Sequence, residues 1–183
     1  KTDPDRSTLV NRAIQGRYNL GSTFKPFPAY AALSTGLFSA NDYYSDTGTY
    51  KMQSVDSDKC ASGIVRCVYK NATCGNGQPC VYGYVDVETA LAVSSDAFFY
   101  RIGELIMEKN EQKDLLQRQV GLFGFGEKTG IDLPFEFSGT VPDRELKELY
   151  AERGVISEDE GSGYFTGDNV QLAIGQGLLS ATP

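Results

Sequence analysis

Apolar residues recur at the spacing of amphipathic helices in several stretches of this chain, and polar, turn-forming stretches separate them. The first such stretch, residues 26–36, begins with two early prolines and predicts a helix. A short helix over 86–93 and a longer one from about Asp96 are predicted next. The longer helix carries an apolar stripe that we expect to face the core: Phe98, Phe99, Ile102, Leu105 and Ile106.

The C-terminal half predicts three further helices. One lies near residues 111–122, and Leu146 and Leu149 mark a shorter one. The last is predicted to begin at a cap formed by Asp168 and to run to about Gly175. Its expected buried residues are Val170, Leu172, Ala173 and Ile174.

Composition and charge narrow the class of protein. A chain of 183 residues with 40% hydrophobic content can bury the core of one globular domain. The net charge is -7 with acidic residues scattered along the chain, which argues against nucleic acid as a partner, because a phosphate backbone binds a basic face. The sequence contains no membrane-spanning run and no signal peptide.

All four cysteines lie in one polar stretch, residues 54–84, which we predict to be a loop insertion; they are Cys60, Cys67, Cys74 and Cys80. Residues 38–82 as a whole predict loops or short strands, because turn signals interrupt each apolar run. The cysteines lack the C-x-x-C pairs of zinc sites and the chain has no histidine, so two disulfides are expected, with free thiols as the main alternative. Three pairings remain open. Disulfides would place the domain outside the cytoplasm.

The candidate chemistry begins with Ser22 and Lys25, in the sequence Gly21-Ser-Thr-Phe-Lys-Pro26. On a helix, residues i and i+3 share a face, and a lysine in a partly dry pocket can accept the proton that an attacking serine sheds. Because the chain has no histidine, Ser-Lys chemistry is the leading way to activate a serine here. Pro26 disfavours helical angles at Lys25, so we expect a distorted turn. A solvated helix start is the alternative for an isolated match.

A second motif, Ser94-Ser95-Asp96, lies where two predicted helices meet. Taken by itself, it predicts a helix cap formed by Ser95 or Asp96. Taken with Asn11-Arg12-Ala13 and the Ser22–Lys25 motif, it resembles the transpeptidase domain of class B penicillin-binding proteins of the elongation type. The likeness continues through residues 123–134 and 169–177 to the end, and so covers nearly the whole chain.

This resemblance implies the α/β fold of penicillin-binding proteins and serine β-lactamases, without a metal or organic cofactor. Ser22 would attack the penultimate D-Ala carbonyl of a peptidoglycan stem peptide, with Lys25 as base, and would attack β-lactam antibiotics in the same way. Ser94 would relay a proton between Lys25 and the leaving amine, and Asp96 would hold Lys25 or bind substrate. The alternatives are a serine β-lactamase or D,D-carboxypeptidase, a non-enzymatic β-lactam sensor, and a degenerate wall-associated module.

The resemblance also implies a setting for the domain. Cell-wall synthesis proteins such as a glycosyltransferase would be its partners. We expect it on the extracytoplasmic face of the bacterial membrane, anchored by a segment upstream of Lys1.

Lys128-Thr129-Gly130 matches the letters of the family's third motif, K-T-G, but its flanks match a structural loop instead. The working motif, with the C-terminal strands of the sheet, is expected beyond Pro183. Residues 1–183 are therefore expected to form a partial transpeptidase domain, mostly the helical part of the fold, with little or no activity alone. A companion chain that supplies the rest and a truncated sequence are both open interpretations.

Overall fold

The computed structural model describes residues 10–63, 65–109 and 114–182. Within them lie nine α-helices and one 3-10 helix, which spans Gly21–Phe24. The α-helices are α1 Arg12–Gln15, α2 Pro26–Ser34, α3 Ser57–Ala61, α4 Val87–Ala92, α5 Asp96–Lys109, α6 Leu115–Gly121, α7 Arg144–Glu152, α8 Glu158–Gly161 and α9 Thr166–Leu172. The strands are β1 Tyr44–Asp46, β2 Thr49–Lys51, β3 Val68–Lys70 and β4 Gly83–Val85.

Helix α5 forms the centre of the fold. Its predicted apolar stripe is buried, since Phe98, Phe99, Ile102, Leu105 and Ile106 are at most 9% exposed. Helices α2, α6 and α9 pack around it. Contact with α9 is close at Gly103, where an added Cβ would lie 2.8 Å from the carbonyl oxygen of Asn169. The amide of Asn169 in turn donates to the carbonyl of Gly103 (2.7 Å) and holds the two helices together.

The strands form two small antiparallel ladders, β1 with β4 and β2 with β3. No larger sheet occurs in the described residues, which fits the expectation that this chain holds the helical part of the fold. The segment from 38 to 82 has the short strands that its turn signals predict, and adds helix α3. Whether residues 54–84 are an insertion stays a prediction.

Two disulfides join neighbouring cysteines in this segment, Cys60 with Cys67 and Cys74 with Cys80. Oxidised cysteines were predicted, and the structure selects one of the three open pairings. A buried carboxylate also fixes the segment to α5. Glu104 accepts hydrogen bonds from the amides of Gln53 (2.8 Å) and Ser54 (2.7 Å) and from the hydroxyl of Tyr50.

The last helix corrects one prediction. It begins at Thr166, so Asp168 lies in its first turn and is not the residue that precedes it. The Asp168 carboxylate instead accepts the amide proton of Phe165 (2.7 Å) and pairs with Lys147 Nζ (2.5 Å) from α7. A carboxylate at this position can satisfy a free amide at the helix start as well as a preceding residue can. The predicted burial is confirmed, since Val170, Leu172, Ala173 and Ile174 are at most 5% exposed.

Helix α6 begins at Leu115, later than the predicted start near residue 111. Residues 111–113 of that prediction lie outside the described part of the chain. Leu116 and Val120 are fully buried, as a helix in this region requires. In the part of the chain that the structure describes, no helix is both long and apolar enough to span a lipid bilayer.

Candidate active site

Ser22 is the second residue of the 3-10 helix Gly21–Phe24, and its side chain is exposed. Gly21 has a φ of +55°, a conformation that glycine adopts without a Cβ penalty. Its amide donates to the carbonyl of Gly175 (2.9 Å), from the Gly175-Gln-Gly177 segment after α9. A Cβ at Gly175 would lie 2.2 Å from the carbonyl oxygen of Gly21, so the two backbones touch. The segment after α9 therefore supports the turn that carries Ser22.

Lys25 follows directly and joins the 3-10 helix to α2. Its φ of −52° and ψ of −32° are helical, so Pro26 does not displace it from the helical region as its usual bias predicts. The distortion lies one turn earlier, in the narrower 3-10 geometry from Gly21 to Phe24. The amide of Lys25 donates to the carbonyl of Ser22 (3.3 Å), so both residues belong to one continuous helical segment.

The amine of Lys25 is buried and meets the second motif. The residue is only 1% exposed. Its Nζ donates to Asp96 Oδ1 (2.6 Å) and to the carbonyl of Ser94 (2.8 Å), and lies 3.0 Å from Ser94 Oγ. The structure thus brings together Lys25, Ser94 and Asp96 from sequence positions about seventy residues apart.

The electrostatic setting favours loss of the Lys25 proton. Burial lowers the pKa of Lys25, and the hydrogen bond and charge of Asp96 oppose this effect without cancelling it. A neutral amine keeps two donors, enough for Asp96 and the Ser94 carbonyl. Its lone pair can then accept from a hydroxyl, and Ser94 Oγ is within reach. The arrangement can therefore pass a proton in either direction between Lys25 and Ser94.

Ser94 has a φ of +57°, which is uncommon for a residue with a side chain. It lies in the junction between α4 and α5, where Ser95 donates its amide to the carbonyl of Ala90 (2.9 Å). The cap interpretation of this motif is correct for Ser95, whose Oγ accepts the amide proton of Phe98 (3.0 Å). Asp96 is the first residue of α5 and uses its carboxylate for Lys25 instead.

Two buried polar residues next to this motif were not predicted from the sequence. Asp46 ends strand β1 and Asn71 follows strand β3, and both contact the start of α5. Neither lies in a periodic pattern or a recognised motif. A polar residue at or directly after the end of a short strand was the available signal, and it does not distinguish a site from a turn.

Comparison with known proteins assigns this arrangement to a family. A family model described as the penicillin-binding protein transpeptidase domain matches residues 1–183. The chain belongs to this transpeptidase family. It is 32% identical over 181 residues to the peptidoglycan D,D-transpeptidase MrdA of Escherichia coli K12, covering 99% of this chain and 24% of that protein. It is 31% identical over 175 residues to MrdA of Acinetobacter baumannii, covering 96% and 22%. The chain thus spans about a quarter of the length of these relatives.

Solved structures of penicillin-binding proteins share the fold. PBP2 of Pseudomonas aeruginosa in complex with WCK 5153 is 28% identical with a TM-score of 0.70, over 95% of this chain and 33% of that one. PBP2 of Helicobacter pylori in complex with MreC is 26% identical with a TM-score of 0.72, over 98% and 28%. A peptidoglycan synthase complex that coordinates polymerization and crosslinking contains a chain 25% identical, with a TM-score of 0.68, over 100% and 28%.

In this transpeptidase domain, Lys128-Thr129-Gly130 lies in an exposed loop and on none of the described strands. Thr129 uses its amide (2.7 Å) and its hydroxyl (2.6 Å) to bind Glu136 of the same loop. The sequence-based prediction of a structural loop is therefore confirmed for these residues. Among the described residues, no group of three or more His, Cys, Asp or Glu side chains is placed to hold a metal ion.

Proposed function

We propose that this chain carries the acylation machinery of a peptidoglycan D,D-transpeptidase, with Ser22 as the nucleophile. The observation that supports this most directly is the buried Lys25 amine, which is hydrogen-bonded to Ser94 and Asp96 three residues after an exposed serine. The relatives named peptidoglycan D,D-transpeptidase align over nearly the whole chain and favour this reaction.

In the first step, Ser22 Oγ attacks the carbonyl carbon of the penultimate D-Ala of a stem peptide. The serine proton passes to the neutral amine of Lys25, whose lowered pKa makes that form accessible. The negative charge on the carbonyl oxygen is favoured near the start of a helical segment, where backbone amides are free to donate.

In the second step, the bond to the terminal D-Ala breaks. The leaving nitrogen takes a proton from Lys25 through Ser94 Oγ, which lies 3.0 Å from Lys25 Nζ. The acyl group is now an ester of Ser22. An amine of a neighbouring strand then attacks this ester, loses its proton to Lys25, and Ser22 regains its hydroxyl proton. With a β-lactam the ring amide breaks instead, and its nitrogen stays tethered to the acyl group.

The partners follow from the same proposal. Stem peptides ending in D-Ala-D-Ala are the substrate class, β-lactams are the inhibitor class, and wall-synthesis proteins such as a glycosyltransferase are the assembly partners. The neighbours solved with MreC and within a peptidoglycan synthase complex support the assembly partners, and the relatives named peptidoglycan D,D-transpeptidase support the substrate class. Two disulfides support a location on the extracytoplasmic face of the membrane, where thiols are oxidised, and an N-terminal anchor is part of the same proposal.

A labelled penicillin tests the nucleophile and the base. In the complete product of the gene that encodes this chain, we expect acylation at Ser22, identified by peptide mass spectrometry. Ser22→Ala should abolish labelling and Lys25→Ala should nearly do so, since the serine then has no base. Lys128→Ala is the matched control and should leave the acylation rate within a few-fold. Labelling that survives Ser22→Ala contradicts the assignment.

A second assay distinguishes transpeptidation from the other reactions that a Ser-Lys pair can carry out. With a stem-peptide thioester as acyl donor and a D-amino acid as acceptor, a transpeptidase forms the new amide product. Hydrolysis without amide formation would identify a β-lactamase or carboxypeptidase. A stable acyl-enzyme that forms no product with either acceptor would identify a sensor.

A further inference from the structure

A buried polar cluster lies against the second motif, on the side of the disulfide-bonded segment. It consists of Asp46, Asn71 and Ser95, which are 1%, 6% and 0% exposed. The side-chain amide of Asn71 donates to both carboxylate oxygens of Asp46 (2.9 Å each) and to the carbonyl of Cys80 (2.8 Å). The hydroxyl of Ser95 donates to Asp46 Oδ2. The Asp46 cluster therefore connects Cys80 of the Cys74–Cys80 disulfide to the residue in the middle of the motif.

The Asp46 cluster also holds the backbone around the motif. Asn71 Oδ1 accepts the amide proton of Ala97 (2.7 Å), and Ser95 Oγ accepts that of Phe98 (3.0 Å). Two amides in the first turn of α5, which have no partner within the helix, are thereby satisfied. Asp96, the residue that binds Lys25, lies between Ser95 and Ala97, so the cluster fixes its chain neighbours on both sides.

The conformation of Ser94 needs such support. A non-glycine residue at positive φ is strained and persists only where the surrounding structure determines it. Lys25 Nζ holds the Ser94 carbonyl from one side (2.8 Å). The neighbouring Ser95 is held from the other side by Asp46. Ser94 is thus fixed between the catalytic lysine and the cluster.

The side chains of Asp46 and Asn71 have the donors and acceptors that these hydrogen bonds require. Asp46 accepts from Gly48 (2.7 Å), Asn71 and Ser95, so its buried oxygens are satisfied by hydrogen-bond donors. Asn71 supplies donors to Asp46 and an acceptor to Ala97 at the same time, which a carboxylate at that position would not do. The buried cluster is therefore complementary in donors and acceptors.

We propose that Asp46 and Asn71 are positioning residues for acyl transfer, which fix Ser94 and Asp96 around Lys25 through Ser95 and the start of α5. This inference rests on the proposed function. It extends the site beyond the two motifs to a pair of residues in the segment between them. Neither residue is expected to touch the substrate.

Acylation rates of single variants test the proposal. In the complete gene product, Asp46→Asn and Asn71→Ala should slow labelling by penicillin about 10- to 100-fold, the loss expected when reacting groups shift by about 1 Å. Rates are measured well below the melting temperature of each variant, so that unfolding does not contribute. Ser95→Ala deletes the hydroxyl that binds both Asp46 and the amide of Phe98, and it should slow labelling in the same direction.

Glu104→Gln is the matched control. Glu104 is an equally buried carboxylate that ties the same segment to the same helix, but its hydrogen-bond partners Tyr50, Gln53 and Ser54 lie outside the motif. This variant should be destabilised and yet acylate within a few-fold of the wild-type rate. Equal slowing by Glu104→Gln would show that the effect is general destabilisation, and would overturn the positioning role.

The dependence of the acylation rate on pH separates positioning from destabilisation, because destabilisation alone does not shift its midpoint. Because Asp96 sets part of the environment of Lys25, displacing it should shift the midpoint of acylation against pH in Asn71→Ala but not in Glu104→Gln. If the Asp46 and Asn71 variants are labelled at Ser22 with the rate and the pH profile of the wild type, this inference is overturned. The proposed function is then left standing. Absence of labelling at Ser22 in the wild type overturns both.

Discussion

At the scale of single residues, the contact that defines the site is the one between Lys25 and Asp96. A lysine buried to this degree has an unfavourable charge unless a partner compensates it. Asp96 provides that partner at 2.6 Å, yet burial still lowers the pKa of Lys25. The two effects are balanced so that the amine can hold a proton and also release it.

The pH dependence of acylation follows from this balance. Attack needs neutral Lys25, so the rate should rise with pH through the pKa of Lys25, with a midpoint below the ordinary lysine value of about 10.4. The hydrogen bond and charge of Asp96 raise that pKa, so Asp96→Asn should move the midpoint to lower pH. Stopped-flow acylation between pH 6 and 10 measures it. A midpoint that stays in place or moves upward in Asp96→Asn would show that Lys25 is not the titrating base.

The residues that the sequence could reveal are those within short motifs. Ser22 and Lys25 are three residues apart, and Ser94 and Asp96 are two apart, so spacing and resemblance suffice to propose them. Asp46 and Ser95 are 49 residues apart, and their contact depends on how an irregular segment folds back onto α5. Hydrophobic periodicity carries no information about such a contact, because Asp46 ends a strand of three residues and Ser95 lies in the junction before α5.

At the scale of elements, close backbone contacts position the helices that carry the site. Gly103 allows α5 to approach α9, and Gly175 allows the segment after α9 to approach Gly21. The longer helices were predictable from apolar spacing, and so was most of their burial, whereas the four- and five-residue helices α1, α3 and α8 were not predicted. The start of α9 was not predictable, because an aspartate binds a free amide at a helix start either from the cap position or from the first turn. Asp168 does so from the first turn.

Gly175→Ala tests the contact beneath Ser22, the proposed nucleophile. The substitution places a Cβ 2.2 Å from the Gly21 carbonyl oxygen, so it should displace the Ser22 turn and slow acylation more than tenfold, beyond its cost in stability. Gly36→Ala is the control, since Gly36 has nearly the same φ (+70° against +71°) but open space at the Cβ position. Gly36→Ala should lower the free energy of unfolding, measured by chemical denaturation, by about 1–2 kcal/mol, because a Cβ disfavours positive φ. Its acylation rate should be unchanged. Equal behaviour of the two variants would contradict a role for the contact.

Both disulfides are expected in the native protein. Thiol counting under denaturing, non-reducing conditions should find no free thiols, and four would contradict the pairing.

Each bridge closes a short loop, so replacing either pair with serine should cost about 2–3 kcal/mol in unfolding free energy. The Cys74–Cys80 variant should also slow acylation, because the Cys80 carbonyl binds Asn71. The Cys60–Cys67 variant should not, and slowing in that variant alone would contradict this division.

At the scale of the whole molecule, the surface carries large apolar side chains outside the core. Phe135 is 81% exposed, Leu122 71% and Val81 66%. The described strands form two-stranded ladders, which are marginal by themselves and have free edges. The family assignment gives the fold, which hydrophobic patterning in these residues alone does not identify.

The 183-residue chain expressed by itself should therefore associate. Exposed apolar groups and unpaired strand edges both promote contact between copies. Sedimentation velocity at increasing concentration should show species larger than the monomer, and Phe135→Asn should reduce them. A chain that stays monomeric and melts sharply at all concentrations would contradict this expectation and indicate a self-sufficient fold.

The contact between Gly21 and Gly175 also constrains the order in which the molecule can fold. The Ser22 turn is held by a hydrogen bond to a residue 154 positions later, and Tyr18 pairs with Ala181 beside it. Contacts of such long sequence separation form slowly, since the intervening chain must first be ordered. During synthesis Ser22 leaves the ribosome before the segment after α9, so its turn cannot be held in this conformation until that segment has followed. If Ser22 is the nucleophile that we propose, it is expected to become reactive late, after α5 and α9 have packed, so a chain that lacks the segment after α9 would not acylate.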